Sequence, residues 1–471
     1  MSINSNRIKF VEEFIEDSVL PTLKDYIKIP CVSLAYKEDW QDDIDSASKL
    51  LVRWLEKYLP EDATLEVQKG TKLGTPTILC HLPKKGSNTD KSLLLYGHFD
   101  KQPEMLGWDD DLGPFKPVVK DGKLYGRGSA DDGYSIFSSL TAVLAANSRP
   151  EILLLFESSE ESGSVDLTEH LELLETGQFE KAFNNIGTVI CLDSGALTFD
   201  RLWKTTSLRG NLSTTLKVEV ATAGTHSGAA GGIVPSAWII TNQMLQRIVD
   251  FNTQKVLLAP PEISEEIEAQ LKINANILKD TIKNENSVLE EVKLLSDDVT
   301  EVLTNNNYGY AMEVVGFKGA PLPEIAGNVH QPYVEVKLSF RLPPTCDGKE
   351  LVALLQKVIQ NPPFNAKVSL DFESEASAGW HIRPGDATLE ERINIAWQDA
   401  SKDLFGESAG SLGEGGTIPF INMLQDRFPD AVFLVTGVLG PHSNAHGPNE
   451  FLHIDYTKKL TVAIAQVLEN L

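Results

Sequence analysis

EILLLFESSEESGS, residues 151–164, decides how the rest of the chain is read. Five consecutive apolar residues, Ile152 to Phe156, leave no polar face for solvent, which is the pattern of a short strand covered on both sides. Such strands belong to α/β layers, where helices pack on both faces of the sheet. Two adjacent carboxylates, Glu160 and Glu161, follow at once. Taken alone they read equally as a solvated acidic loop or as chemistry placed beyond a strand end, where open α/β sheets gather their active sites.

Similar apolar runs occur at TPTILCHL (75–82), SLLLYGHF (92–99), TVICLDSG (188–195) and AVFLVTGV (431–438). Between them the pattern changes. YVEVKLSFRL (333–342) alternates cleanly, with Val334, Val336, Leu338 and Phe340 on one face, and LSTTLKVEVATAG (212–224) and KVSLDFES (367–374) do so in part. Helices are predicted at about 235–252 and 349–360, so the middle of the chain reads as an α+β domain whose sheet is covered on one side. Residues 262–302 are polar and helical in composition, an elaboration of that domain or a mobile insertion. Residues 8–27 read as a helical lead-in interrupted by Pro21, and the last segment places Leu460, Ala463, Ile464, Val467, Leu468 and Leu471 on one helical face. The economical division is a catalytic domain built from residues 1–209 and 385–471, with 210–384 inserted.

A length of 471 residues fits two domains. With 67 acids against 42 bases the net charge is -25, which disfavours nucleic acid and anionic membrane as partners and favours local accumulation of metal cations. Cys31, Cys80, Cys191 and Cys346 are far apart and form no CxxC pair, so they read as reduced core residues. No long apolar leader opens the sequence and no run resembles a membrane span, making the cytoplasm the expected location.

Further polar residues follow the other apolar runs. In YGHFD, His98 and Asp100 are two apart and share a strand face, so His98 suits a metal and Asp100 can hold its second ring nitrogen. YGRGSADDG (125–133) offers Asp131 and Asp132 at a helix start, as caps or as a carboxylate bridging cations about 3.5–4 Å apart. It lacks the GxxxxGK[ST] pattern of a phosphate loop. Asp193 follows another strand, and GPHSNAHGPNE (440–450) adds His442 and His446. One fold could gather His98, Asp131, Glu161, Asp193 and one late histidine around two metals, leaving the adjacent Glu160 to move a proton. Spacing does not choose between His442 and His446, nor among zinc, manganese and cobalt.

The ordered set YGHFD, DGKLYGRGSADDG, EESGS, CLD, THSG, SFRLPP, GEGGTIP and AHGPNE resembles the M20 family of dinuclear metallopeptidases. The similarity is greatest to its carnosinase-like branch, which includes the cytosolic nonspecific dipeptidases. The resemblance implies a mostly parallel catalytic sheet flanked by helices, with an inserted ferredoxin-like domain serving as lid and dimerisation surface. It also implies two divalent ions, zinc first, with manganese or cobalt as alternatives. Asp131 would bridge them, His98 and Asp193 would complete one site, and Glu161 and His446 the other. Glu160 would act as general base on a water shared by the metals, with Asp100 orienting His98. His226 would stabilise the oxyanion, commonly across a homodimer, and Arg341 would grip the substrate carboxylate beside a loop of Glu414, Gly415, Gly416 and Thr417. The implied reaction is hydrolysis of dipeptides or short peptides. Hydrolysis of N-acyl or N-carbamoyl amino acids is the alternative, and a catalytically silent dimeric interaction protein is the nonenzymatic one. Asp193, where some relatives carry Glu, resembles the dipeptidase and aminopeptidase members. Gly133-Tyr134 departs from the lysine that many relatives carry after the paired aspartates.

Overall fold

The computed structural model describes residues 5–279, 281–286 and 288–471; the first four residues of the predicted first catalytic part, and Asp280 and Ser287 within 262–302, lie outside the described residues. The chain divides into two compact units, Met1–Thr206 with Ile382–Leu412 and Met423–Leu471, and Ser207–His381 with Gly413–Asn422.

In the first unit the strands Thr64–Lys69, Pro76–Leu82, Glu151–Glu157, Ser92–His98, Ile186–Cys191 and Val432–Val435 lie side by side in that order. The first two run antiparallel and the last four are mutually parallel. The opening apolar run is a strand buried throughout, with Ile152 to Phe156 at most 1% exposed. Each such side chain contributes about 1.5–3 kcal/mol through burial. Register then sets the function-bearing edge. His98 stands opposite Glu157, Tyr96 opposite Cys191, and Cys191 opposite Val435, so the four parallel strands end at nearly one level.

Helices cover this sheet. Tyr134–Ala145 packs on the Ser92–His98 strand and on the C-terminal helix Ile454–Asn470, which also meets Ala387–Phe405. The last of these begins at Asp386, whose carboxylate accepts the Thr388 and Leu389 amides at 2.9 Å each. In the C-terminal helix the predicted face is buried, and so are Val462, Ala465 and Gln466, because neighbours enclose it on more than one side. The lead-in forms helices Ser5–Phe14 and Leu20–Ile27 joined by the π-type turn Ile15–Val19. Pro21 follows directly on that π-type turn, at the start of the second helical stretch.

The second unit carries an antiparallel sheet in the order Ala311–Lys318, Tyr333–Leu342, Gly210–Glu219, Lys367–Phe372. With helices Ala237–Leu245 and Lys349–Val358 the chain order is β-α-β-β-α-β, the ferredoxin-like arrangement. Strict alternation buries Leu212, Leu216, Val218, Val334, Val336, Leu338 and Phe340 in one core with Leu351 and Leu355, leaving the other face polar. Within 262–302, Glu265–Leu278 packs against helix Val299–Tyr308. Residues 413–422, in the stretch read from sequence as catalytic, cluster with this unit through bonds from Asn307 to Gly413 and from Thr417 to Arg209. Among the described residues no helix is long and apolar enough to cross a membrane.

Candidate functional site

His98 ends its strand fully enclosed, and its backbone amide donates to Asp132 Oδ2 at 3.1 Å. Gly97 makes this approach possible, since a Cβ there would lie 2.6 Å from the same oxygen and collide with Ser135. Asp100, also fully buried, has two tasks. Its Oδ1 lies 3.3 Å from His98 Nδ1, and its two oxygens accept the amides of Glu160 and Glu161 at 3.1 Å each. One carboxylate therefore orients the imidazole and fixes the short turn that presents both glutamates; the sequence reading found only the first role.

Asp131 follows the glycine loop and is joined to Asp132 by a cis peptide bond. Its Oδ1 is 3.3 Å from His98 Nε2 and its Oδ2 2.9 Å from His446 Nε2. Asp193 Oδ1 lies 3.8 Å from His98 Nε2, and Glu161 Oε2 lies 3.5 Å from His446 Nε2. Two potential ligand groups result, His98–Asp131–Asp193 and Asp131–Glu161–His446, sharing Asp131. The donor sets suit divalent cations: each combines one imidazole with two carboxylates, and among the described residues His98 Nε2 and Glu161 Oε1 are buried without hydrogen-bond partners. His442 belongs to neither group.

The electrostatics point the same way. Burial raises the carboxyl of Glu161 to about 8, with Asp131 adding to the shift. Burial also pushes Glu160 well above the usual carboxylate range, reinforced by Asp193. Desolvation opposes the charge on Asp131, yet the adjoining imidazoles of His446 and His98 outweigh it and hold the carboxyl low. Desolvation lowers His446 less than its neighbours raise it: the ring is half exposed, and Glu161 and Asp131 carry it to about 9. Crowded carboxylates thus bind protons tightly in the absence of other positive charge, and bound cations would relieve that repulsion.

A buried pair that the sequence reading did not assign joins the two loops. Arg127 Nη1 donates to Glu450 Oε2 at 2.7 Å, while its Nη2 donates to the carbonyls of His446 and Gly447 at 2.9 Å each. Glu450 Oε1 accepts the amides of Ala130 and Asp131 at 3.2 and 3.3 Å. Both residues stood inside quoted motifs, but a pairing across 323 positions leaves no local signal. The Gly133-Tyr134 departure also has a physical reason. A Cβ at Gly133 would overlap the Tyr26 ring, and the Tyr134 hydroxyl donates to the carbonyl of Leu192, next to Asp193, at 2.5 Å.

The remaining predicted residues lie in the second unit. His226 is exposed, pairs in register with Val329, and accepts the Gly228 amide on Nδ1 at 3.1 Å. Arg341 donates to the Thr417 hydroxyl at 3.0 Å, and that hydroxyl donates to the Arg209 carbonyl at 2.6 Å. Glu414 ends the strand Gly410–Glu414, its carbonyl accepting the Arg209 amide at 3.3 Å, and Gly415 and Gly416 follow.

Comparison with known proteins identifies the family. The chain is 28% identical over 399 residues to the Cys-Gly metallodipeptidase of Saccharomyces cerevisiae, covering 81% of this chain and 79% of that one. It is 24% identical over 463 residues to the Beta-Ala-His dipeptidase of Homo sapiens, covering 94% and 89%. The crystal structure of human carnosine dipeptidase 1 superposes with a TM-score of 0.80 at 22% identity, over 99% of this chain and 98% of that one. The dipeptidase Dug1p of Saccharomyces cerevisiae gives 0.77 at 24% identity over 98% of each. The model for peptidase family M20/M25/M40 matches residues 94–470, a span that includes every residue of both ligand groups. The chain therefore belongs to the M20/M25/M40 family of metallopeptidases.

Proposed function

We propose that this enzyme hydrolyses the amide bond of dipeptides or short peptides with two divalent ions, zinc first and manganese or cobalt as alternatives. The observation that carries the reading is the pair of ligand groups sharing Asp131, with Glu160 in neither. His98 and Asp193 would hold one ion and Glu161 and His446 the other, with Asp131 between them. When bound, the ions would polarise the scissile carbonyl and make water a better acid.

Glu160 accepts the proton of the attacking water and returns one to the leaving amine. Burial, first among the causes, raises its proton affinity above that of an ordinary carboxylate, which suits a group that takes up and hands on a proton. Asp100 keeps the His98 ring and the Glu160–Glu161 turn in place, limiting the motion that would spoil alignment. His226 is assigned to the developing oxyanion, across a homodimer, and Arg341 to the substrate carboxylate, for which a planar guanidinium offers paired donors. Glu414, Gly415, Gly416 and Thr417 are assigned to the substrate loop. The metal groups, Asp100 and Glu160 fall in the proposed catalytic parts 1–209 and 385–471, and His226 and Arg341 in the proposed insert 210–384; a cytoplasmic location suits the free cysteines Cys31, Cys80, Cys191 and Cys346.

The test is metal analysis of protein purified without chelator, followed by parallel assays on a dipeptide and the matching N-acetyl amino acid. Two ions per chain and faster dipeptide cleavage are expected. A large preference for the acetylated compound would replace the peptidase reading with an amidohydrolase. Failure of both metal binding and turnover would leave an interaction protein.

A further inference from the structure

Arg341 belongs to the second unit's sheet, and Arg209 immediately precedes its strand Gly210–Glu219. Arg341 stands directly opposite Asn211 in the antiparallel pair Tyr333–Leu342 and Gly210–Glu219, on one face of the sheet, and Arg209 is two residues before Asn211, near enough for the Arg341 charge to act on its guanidinium. This is the polar face, opposite the apolar core. Thr417 ties them together by accepting from the Arg341 guanidinium and donating to the Arg209 carbonyl.

Neighbouring cations of this kind need an explanation. Arg209 is only 6% exposed, its Nε and Nη1 are buried without a hydrogen-bond partner, and neither arginine makes an ion pair among the described residues. Among the described residues the Asn211 Oδ1 is also buried without a hydrogen-bond partner. Burial, followed by the charge of Arg341, lowers the Arg209 guanidinium to about 10. Leaving a buried guanidinium unpaired is costly, and an arriving anion would offset that cost. Gly415 keeps the approach open, since a Cβ there would lie 2.9 Å from Arg209 Nη2.

We infer that Arg209 is a second carboxylate-binding residue, forming with Arg341 a paired-guanidinium receptor that selects peptides ending in a free carboxylate over their neutral amides. This deepens the proposed peptidase reading and rests on it. The carboxylate supplies two acceptor oxygens in one plane, matched to guanidinium donors, whereas an amide brings an N–H donor to face two cations.

The experiment compares a dipeptide with its C-terminal amide on metal-loaded wild type, Arg209→Met, Arg209→Lys and Arg341→Met. Losing one charge-assisted contact corresponds to about a 10-fold to 100-fold effect. Arg209→Met should lose that much more kcat/KM on the acid than on the amide, mainly through KM, with part of the preference restored in Arg209→Lys. An unaltered acid-to-amide ratio in Arg209→Met would overturn the inference, as would an equal fall on both substrates that Arg209→Lys does not reverse. Should wild type bind its metals yet cleave neither peptide, the peptidase reading fails. The Arg209 claim is then decided by equilibrium binding of the same two peptides to Glu160→Gln protein with and without Arg209→Met: preference for the acid lost with the arginine supports it, and preference retained overturns it.

Discussion

Glu450→Gln is the most informative single change outside the ligand groups. The substitution preserves shape but removes the negative charge 2.7 Å from Arg127 Nη1, leaving a guanidinium only 1% exposed with no carboxylate opposite it. Breaking one side of a buried ion pair costs about 3–5 kcal/mol. The same carboxylate accepts the Asp131 amide, and its partner holds the His446 carbonyl, so both loops of the Asp131–Glu161–His446 group lose definition. Groups that support metal ligands typically control affinity by about 10–100-fold. Glu450→Gln should therefore unfold at lower urea and release one metal ion about 10–100-fold more readily in competition with a calibrated chelator. The double replacement Arg127→Met/Glu450→Met separates the effects. It should recover much of the stability, because no unpaired charge remains buried, yet still bind that ion weakly, because the His446 and Gly447 carbonyls lack their donor. Wild-type affinity for both ions in a destabilised Glu450→Gln protein would refute the positioning role.

Four further outcomes are expected. Glu160→Gln should retain both ions while turnover falls about 10²–10⁴-fold; loss of metal in elemental analysis would instead make Glu160 a ligand. Glu157, raised to about 7 by burial and then by Asp100, has a folded value above the 4.5 of the unfolded chain, so the unfolded state loses its proton first as pH rises. Its contribution, about 3 kcal/mol, should be present below pH 4.5 and lost by about pH 7, giving chelator-treated wild type a steeper stability decline than Glu157→Gln in urea titrations; equal slopes would exclude this. Gly133→Ala should destabilise by about 1–3 kcal/mol through overlap with Tyr26, measured by the same titration, and wild-type stability would show that the ring can yield. Mixing His226→Ala with Glu160→Gln subunits should restore activity if His226 acts across a homodimer, and no recovery after verified subunit exchange would confine it to its own chain.

What was legible in the sequence follows from local rules. Burial of every residue from Ile152 to Phe156 could be read from an unbroken apolar run, and alternation along 333–342 announced a sheet with one dry face. The positions of His98, Glu161 and Asp193 at or just beyond strand ends made them candidates before any contact was known, because a strand fixes where its side chains emerge. Register and loop closure were different. Choosing His446 over His442 required the ordered family motifs at first, and the tertiary structure separates them by which ring reaches Asp131. The second task of Asp100, the Arg127–Glu450 pair and the absence, among the described residues, of a carboxylate partner at Arg209 had no sequence signal. Each depends on groups tens to hundreds of positions apart meeting at hydrogen-bond distance, and periodicity says which face a residue occupies but not which distant loop will pack against it. Local propensity and burial determined the elements; the closing of loops around buried charge, where unpaired groups are costly, decided the site.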